Sequence, residues 1–247
     1  MLELDLWLDI AKSAALEGGN YLLQNQGKEL KVLMDSGRDI KLQLDTDTEK
    51  LIKETLSLQS SFSILGEETG LSNNLGEFYW VVDPLDGTSN FLRDIPISCV
   101  SIALMQDVTP ILGVIYDFNH DDLYFGHQNS KAFLNQNEIT VSDYSKKNQS
   151  TLVTGIPAKT HYSDEEFKNM INDFQDWKKV RMIGSAAMAA IYVAAGKAET
   201  YKENGIFLWD IAAGAAIVEA AGGVASIKNI QADYRVDAIF TNQHLAN

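Results

Sequence analysis

The 247-residue chain has an ordinary apolar fraction of 45%, which predicts a globular protein with ample length for a core. Its formal net charge of −14 disfavours nucleic-acid binding through phosphate neutralisation. The single Cys99 excludes an intrachain disulfide framework and no apolar run reaches membrane-spanning length, so we expect a cytoplasmic protein without a membrane or nucleic-acid partner.

The first part of the chain predicts two helices followed by a series of strands. Apolar residues recur at helical spacing from Leu4 to Gln24, and a second helix is predicted from Thr48 to Leu58. Apolar and β-branched runs then predict strands at Tyr79–Val82, Ser98–Met105, Ile111–Tyr116 and Leu123–Gly126.

The second part alternates short strands with helices that are rich in small residues. The predicted strands are Thr151–Val153, Glu199–Lys202 and Ala238–Thr241, and the predicted helices are Asp164–Trp177, Ser185–Ala195 with Ser185 as its cap, and Trp209–Ala221. A polar stretch at 129–150 separates the two parts. We expect one unit over 1–247, with an N-terminal α+β half over about 1–140 and a C-terminal α/β half over about 141–247.

A tight turn that carries two aspartates follows the strand at 79–82. The chain reads Asp83-Pro84-Leu85-Asp86-Gly87, and the proline and glycine predict a turn at the end of the strand. Either aspartate alone is ordinary, because Asp side chains often bond the backbone of such turns. Together they form a rigid corner at which two carboxylates lie close enough to hold a hard cation.

Further acids stand at the ends of other apolar elements. The set of Asp45, Glu67, Asp83, Asp86 and Asp210 is dense in negative charge, and two carboxylates about 4 Å apart repel by roughly 4 kcal/mol at an effective dielectric constant near 20. Bound Mg²⁺, which prefers oxygen ligands, removes this cost. Two such ions suit phosphoryl transfer to water, and the amides of Gly87 and Thr88 are candidate donors to phosphate oxygens.

Three segments together resemble the inositol monophosphatase family. They are the run from Asp83 to Phe91, the Gly66-Glu67-Glu68 triplet, and Trp209-Asp210-Ile-Ala-Ala-Gly214. The resemblance implies an α/β fold, a layered α-β-α-β-α sandwich of the sugar-phosphatase type that fructose-1,6-bisphosphatase shares. It also implies a cofactor of two or three Mg²⁺ ions, with Mn²⁺ as a substitute and Li⁺ or Ca²⁺ as inhibitors, and a homodimer.

The resemblance also assigns roles residue by residue. It implies metal ligands at Glu67, Asp83, the Leu85 carbonyl, Asp86 and Asp210. It implies that Glu67, Thr88 and Asp45 take part in activating the attacking water. Asp45 matches because it lies four residues before Glu49 at the start of the predicted helix, and Asp47 is its rival. The implied substrate-binding residues are Asp86, Gly87, Thr88, Gly184, Ser185, Ala186, Glu203 and Asp210.

The implied activity is hydrolysis of a phosphate monoester by in-line attack of a metal-activated water. Asn90 within the motif and the segment from Glu203 to Trp209 favour inositol monophosphate as the substrate. The segment from Asp39 to Asp45 is more similar to 3′(2′),5′-bisphosphate nucleotidases, and sugar and histidinol phosphates stay open as alternatives. A catalytically silent relative that binds a phosphorylated ligand is the non-enzyme alternative.

Overall fold

The computed structural model describes residues 3–36, 39–157 and 161–246. The helices in this part of the chain are α1 (Leu4–Asn25), α2 (Gln43–Gln59), α3 (Thr88–Phe91), α4 (Asp164–Gln175), α5 (Ala186–Ala194) and α6 (Leu208–Ala220). The strands up to residue 139 are β1 (Val32–Ser36), β2 (Asp39–Leu42), β3 (Ser63–Gly66), β4 (Gly70–Leu71), β5 (Phe78–Asp86), β6 (Cys99–Gln106), β7 (Thr109–Asp117), β8 (Asp122–His127), β9 (Ala132–Leu134) and β10 (Asn137–Ile139). The later strands are β11 (Thr151–Thr154), β12 (Lys179–Met182), β13 (Thr200–Phe207), β14 (Val224–Lys228) and β15 (Arg235–Thr241).

The strands form two large sheets and one hairpin within the described residues. The first sheet has the order β10-β9-β8-β7-β6-β5-β3-β4, the second has the order β12-β11-β13-β15-β14, and β1 pairs with β2 alone. One apolar core lies between the first sheet and the helices α1 and α2. A second core surrounds α5 and α6, which lie between the two sheets, and α4 covers the other face of the second sheet. This is the predicted layered α-β-α-β-α sandwich.

Most helices follow the sequence prediction closely. The strands predicted at Tyr79–Val82 and Glu199–Lys202 instead extend to Asp86 and Phe207, because their pairing with β6 and β15 continues that far. The helix predicted from Thr48 begins at Gln43, because the Asp45 carboxylate accepts a hydrogen bond from the amide of Leu42 (2.9 Å) and so completes an earlier first turn. Apart from β11, which was expected at Thr151–Val153, the strands of two to five residues, such as those of the β1–β2 hairpin, were not predicted. Their runs are too short for an alternating pattern to be recognised.

The polar stretch at 129–150 contains the change from one sheet to the other. Strands β9 and β10 still belong to the first sheet, which ends at Ile139, and the second sheet begins at Thr151. That residues 1–247 form one unit with two halves stays a prediction. No helix in the described ranges is both long and apolar enough to cross a bilayer.

Candidate metal and phosphate site

Strand β5 carries two of the candidate ligands into the same region. Its pairing with β6 is regular up to Asp83 and shifts between Asp83 and Asp86. In a regular strand, two residues three positions apart point to opposite faces, and a bulge changes that direction. The turn is held internally, since Leu85 N donates to Asp83 Oδ1 (3.0 Å) and Thr88 Oγ1 donates to the Leu85 carbonyl (3.0 Å).

Gly87 has a backbone that this turn needs. Its φ is +90°, in the left-handed region that other residues seldom adopt, and a Cβ there would lie 2.7 Å from the carbonyl oxygen of Ile97. Only glycine therefore allows the chain to leave β5 and enter α3 at once. The same geometry places Gly87 and Thr88 on the wall of the cavity described below.

Two distant segments bring further carboxylates to Asp83. Glu67 follows β3, which is parallel to β5, and Asp210 lies in the first turn of α6, where its Oδ2 accepts a hydrogen bond from Phe207 N (3.3 Å). Glu67, Asp83 and Asp210 each offer an oxygen, and these oxygens all lie within 4.8 Å of one another. The structure therefore brings together three of the predicted metal ligands.

Asp86 is held by the start of α5. Its Oδ2 accepts hydrogen bonds from Ser185 Oγ (2.5 Å) and from the amide of Ala187 (2.7 Å), residues 99 and 101 positions further along the chain. Ser185 also caps α5 as predicted, since its Oγ accepts from Met188 N (3.1 Å). The Asp86 carboxylate thus connects the motif turn to the second part of the chain.

Asp45 and Asp47 occupy different environments. Asp47 is exposed and accepts a hydrogen bond from the Gln43 side chain (3.0 Å). Asp45 is buried, with Oδ2 bound to the Leu42 amide and Oδ1 without a hydrogen-bond partner. Asp45 does not line the cavity itself, but it lies close enough to Glu67 to raise the pKa of that carboxyl. The geometry therefore supports Asp45 rather than Asp47 as the acid of the site.

A cavity of about 370 Å³ is lined by most of the predicted site residues. Its lining includes Glu67, Asp83, Leu85, Asp86, Gly87, Thr88, Gly184, Ser185, Ala186, Glu203 and Asp210. Glu203 is almost fully buried, and a Cβ on Gly155 would come within 2.3 Å of its carboxylate, so glycine at 155 leaves room for the acid. The lining is therefore rich in carboxylates, and it also includes the apolar side chains of Ile156, Ile206 and Trp209.

Burial raises the pKa of every acid in this group. It raises the pKa of Asp45 to about 7 and that of Glu203 to about 8. It also raises the pKa values of Glu67, Asp83, Asp86 and Asp210, with further increases at Glu67, Asp83 and Asp210 from neighbouring carboxylates. The ionised cluster is thus unfavourable on its own, because desolvation and mutual repulsion both oppose the negative charge.

These residues suit bound Mg²⁺. The donor set consists of oxygen atoms, which Mg²⁺ prefers, and the carboxylates that line the cavity outnumber the one cationic residue, Lys41, among its described lining residues. The buried Oδ1 of Asp45 also lacks a partner, as expected for a group that interacts with a molecule bound at the site. The arrangement has the chemistry of a hard-cation site next to Gly87 and Thr88, which line the same cavity.

The sequence patterns missed Glu49, which supports the site from α2. Its fully buried carboxylate accepts hydrogen bonds from the amides of Glu68 (2.7 Å) and Thr69 (3.1 Å) and from Thr69 Oγ1 (2.5 Å). It also pairs with Lys53 at 3.0 Å. Glu49 therefore fixes the turn that presents Glu67. Its spacing of four residues from Asp45 was noted, but only as a marker of the helix.

Replacing Glu49 with Gln is expected to loosen this turn. We expect a loss of about 1–3 kcal/mol in the free energy of unfolding, because a buried, charge-assisted network loses one of its two acceptor oxygens and Lys53 loses its carboxylate partner. Weaker binding of Mn²⁺, measured by calorimetry, should accompany that loss. Glu54→Gln on the same helix is the control, since the Glu54 side chain is 63% exposed. Equal metal affinity in the Glu49→Gln variant and the wild type would contradict a positioning role.

Comparisons with known proteins agree with this geometry. A model described as the inositol monophosphatase family matches residues 3–239. The chain is 38% identical over 220 residues to a Xylella fastidiosa protein named Nus factor SuhB, covering 87% of this chain and 80% of that protein. It is 35% identical over 235 residues to an inositol-1-monophosphatase of Synechocystis, covering 91% and 79%. An inositol monophosphatase structure from Anabaena superposes with a TM-score of 0.86 at 33% identity, covering 98% and 93%.

The matched region contains every acid of the site. Asp45, Glu67, Asp83, Asp86 and Asp210 all lie between residues 3 and 239, and the structural likeness extends over nearly the whole chain. The same segments carried the resemblance that the sequence alone indicated. This chain belongs to the inositol monophosphatase family.

Proposed function

We propose that the protein is a Mg²⁺-dependent phosphomonoesterase that hydrolyses a small phosphorylated polyol, with inositol monophosphate as its first-choice substrate. One observation carries the proposal. Carboxylate oxygens from Glu67, Asp83 and Asp210 lie within 4.8 Å of one another and line the same cavity as Gly87 and Thr88, whose amides are suited to phosphate. The family membership supports a phosphatase, and members of this family generally depend on Mg²⁺.

Different residues of the site bind the phosphate, activate the attacking water and bind the alcohol part of the substrate. Gly87 and Thr88 hold the phosphoryl oxygens, and the Thr88 hydroxyl orients the attacking water. Asp45, which lies outside the cavity lining with its Oδ1 unpartnered, takes up the proton of that water by way of the Thr88 hydroxyl. Glu67, Asp83, the Leu85 carbonyl, Asp86 and Asp210 would hold Mg²⁺, which would supply a nucleophilic water at neutral pH and neutralise charge on the phosphoryl group and the leaving oxygen.

The other residues of the cavity recognise the alcohol of the substrate. The Glu203 carboxylate lies in a pocket wall beside Ser185 and is suited to accept hydrogen bonds from hydroxyl groups of a polyol. The apolar side chains of Ile156 and Trp209 in the lining suit contact with the carbon face of a ring. A nucleoside bisphosphate, a sugar phosphate or histidinol phosphate remains the alternative substrate, because the same phosphate site serves any of these esters.

A panel of phosphate esters tests the proposal. With Mg²⁺ present, we expect phosphate release from inositol monophosphate, and we expect Li⁺ to inhibit it. Asp45→Asn should lower the turnover by about 10²–10⁴-fold, the range expected for loss of a general base. Asp47→Asn, an exposed acid two residues away, should keep full activity. Equal activities of the two variants would refute the assignment of Asp45.

A binding role is the second candidate. It rests on the relatives named Nus factor SuhB, among them the Xylella protein at 38% identity. If neither inositol monophosphate, sugar phosphates nor adenosine bisphosphates release phosphate under the same conditions, a catalytically silent protein that binds a phosphorylated ligand is the better description. A homodimer and a cytoplasmic location stay predictions alongside either function.

A further inference from the structure

The Asn90 side chain joins two loops that border the cavity. Asn90 lies in α3, two positions after Thr88, and its Nδ2 donates hydrogen bonds to the carbonyl oxygens of Ile97 and Ile183, both at 2.8 Å. An amide nitrogen carries two hydrogens, so these two contacts use its whole donor capacity. Because Ile183 lies 93 positions further along the chain, one neutral side chain holds together segments that are far apart in the sequence.

The first of these contacts lies against the phosphate-side turn, the name used here for residues 87–88. The Ile97 carbonyl oxygen that Asn90 binds is the atom that a Cβ on Gly87 would approach to 2.7 Å. The backbone of Asn90 makes further contacts, since its N donates to the Gly87 carbonyl (2.9 Å) and its carbonyl accepts from Ile95 N (3.0 Å). Asn90 therefore holds the chain that leaves α3 against this turn.

The second contact fixes the loop that enters α5, residues 183–185. Gly184 follows Ile183 with a φ of +76°, and a Cβ on it would lie 3.1 Å from Asn90 Nδ2. Ser185 comes next, donates to Asp86 Oδ2 and caps α5. Gly184 and Ser185 line the cavity, whereas Asn90 is not among its described lining residues. Asn90 can therefore act on the cavity only through the atoms that it holds in place.

We propose that Asn90 is a positioning residue that sets the spacing between the phosphate-side turn and the α5 entry loop, and so aligns the phosphate of the substrate with its alcohol. The inference deepens the proposed function, on which the roles of the two segments rest. The hydrogen bond from Ser185 to Asp86 spans the same gap, but that carboxylate is also a candidate metal ligand. The Asn90 amide is not ionisable, so its two hydrogen bonds hold the spacing whether or not a metal is bound.

Replacing Asn90 with Leu tests this role with a neutral side chain of similar shape that has no donor. We expect the KM for inositol monophosphate to rise by about tenfold, because two hydrogen bonds that fix the spacing are lost. Inhibition by inorganic phosphate, which occupies only the phosphate side, should change by less than about twofold. Asn25→Leu is the matched control, since Asn25 Nδ2 also donates to a backbone carbonyl, that of Tyr21 (2.8 Å), away from the cavity.

Amide hydrogen exchange tests the coupling between the two segments without any turnover. The amides of Ala187 and Met188 donate to Asp86 Oδ2 and Ser185 Oγ, so their protection reports on the α5 entry loop. We expect these amides to exchange about tenfold faster in Asn90→Leu, because local opening becomes easier when the loop is released. Their exchange in Asn25→Leu should match that of the wild type.

Three outcomes would overturn the proposal. They are a KM at the wild-type value, an equal rise in the KM and in the inhibition constant of phosphate, and unchanged exchange at residues 187 and 188. A purely structural role would lower the folded fraction and hence kcat without this selective change in KM. Asn90→Ala serves if the leucine variant does not fold. If the wild type releases no phosphate from any ester, the proposed function fails, whereas the exchange comparison still decides whether Asn90 couples the two segments.

Discussion

Replacing Asp83 with Asn is expected to reduce turnover by on the order of 10³-fold or more, which is the scale for losing a central electrostatic group of an active site. Asp83 is the acid that links the others, since Glu67, Asp86 and Asp210 all raise its pKa after the larger effect of burial. An amide oxygen can still accept the Leu85 hydrogen bond, so the turn should survive. Asp210→Asn should have a similar effect on turnover.

The same Asp83→Asn variant, which should lose activity, is expected to gain stability when no divalent ion is present. In the absence of divalent ions, Asp83→Asn should be more stable than the wild type, because it removes a buried charge that lies among other carboxylates. Thermal melting in a chelator and phosphate release in Mg²⁺ measure the two effects on one preparation. Asp47→Asn is the control for both, since it removes an exposed charge. Full activity of Asp83→Asn would refute the metal assignment, and a lower melting temperature in chelator would refute the account of its electrostatics.

Removal of divalent ions should make the stability strongly dependent on pH. Burial raises the pKa of Asp45 from 3.8 to about 7 and that of Glu203 from 4.5 to about 8, so the native protein retains protons that the unfolded chain has lost. Between about pH 4 and pH 8 the native state therefore binds more protons, and the free energy of unfolding falls as pH rises. For Asp45 alone, this corresponds to on the order of 4 kcal/mol.

Mg²⁺ should restore the free energy of unfolding that the metal-free protein loses as pH rises. The ion binds the ionised carboxylates of the native state, so it contributes most at pH 8 and least near pH 5. At one hundred times its dissociation constant, a ligand of the native state adds about 2.7 kcal/mol. Urea unfolding at pH 5, 6, 7 and 8, with chelator or with Mg²⁺, measures both slopes. A metal-free protein that becomes more stable from pH 5 to pH 8, or a stability that Mg²⁺ leaves unchanged at pH 8, would contradict this account.

Local chemistry explains how much of the fold was predictable. The helices at 4–25 and 208–220 and the strands at 99–106 and 109–117 carry continuous apolar patterns, and each was predicted to within a few residues. The β1–β2 hairpin and the short edge strands were not, because two to five residues do not display a periodicity. Glycine at 87, between β5 and α3, marks a turn that sequence chemistry alone identifies.

The sequence by itself determined the Asp83–Asp86 corner and, through three motifs read together, the family and the layered fold. Only the tertiary structure decided which of Asp45 and Asp47 is buried, that Glu49 holds the Glu67 turn, and that Asn90 binds the Ile183 carbonyl. The reason is physical. Turn chemistry and periodicity act between residues a few positions apart, whereas contacts such as Ser185 to Asp86, 99 positions apart, depend on how whole elements pack.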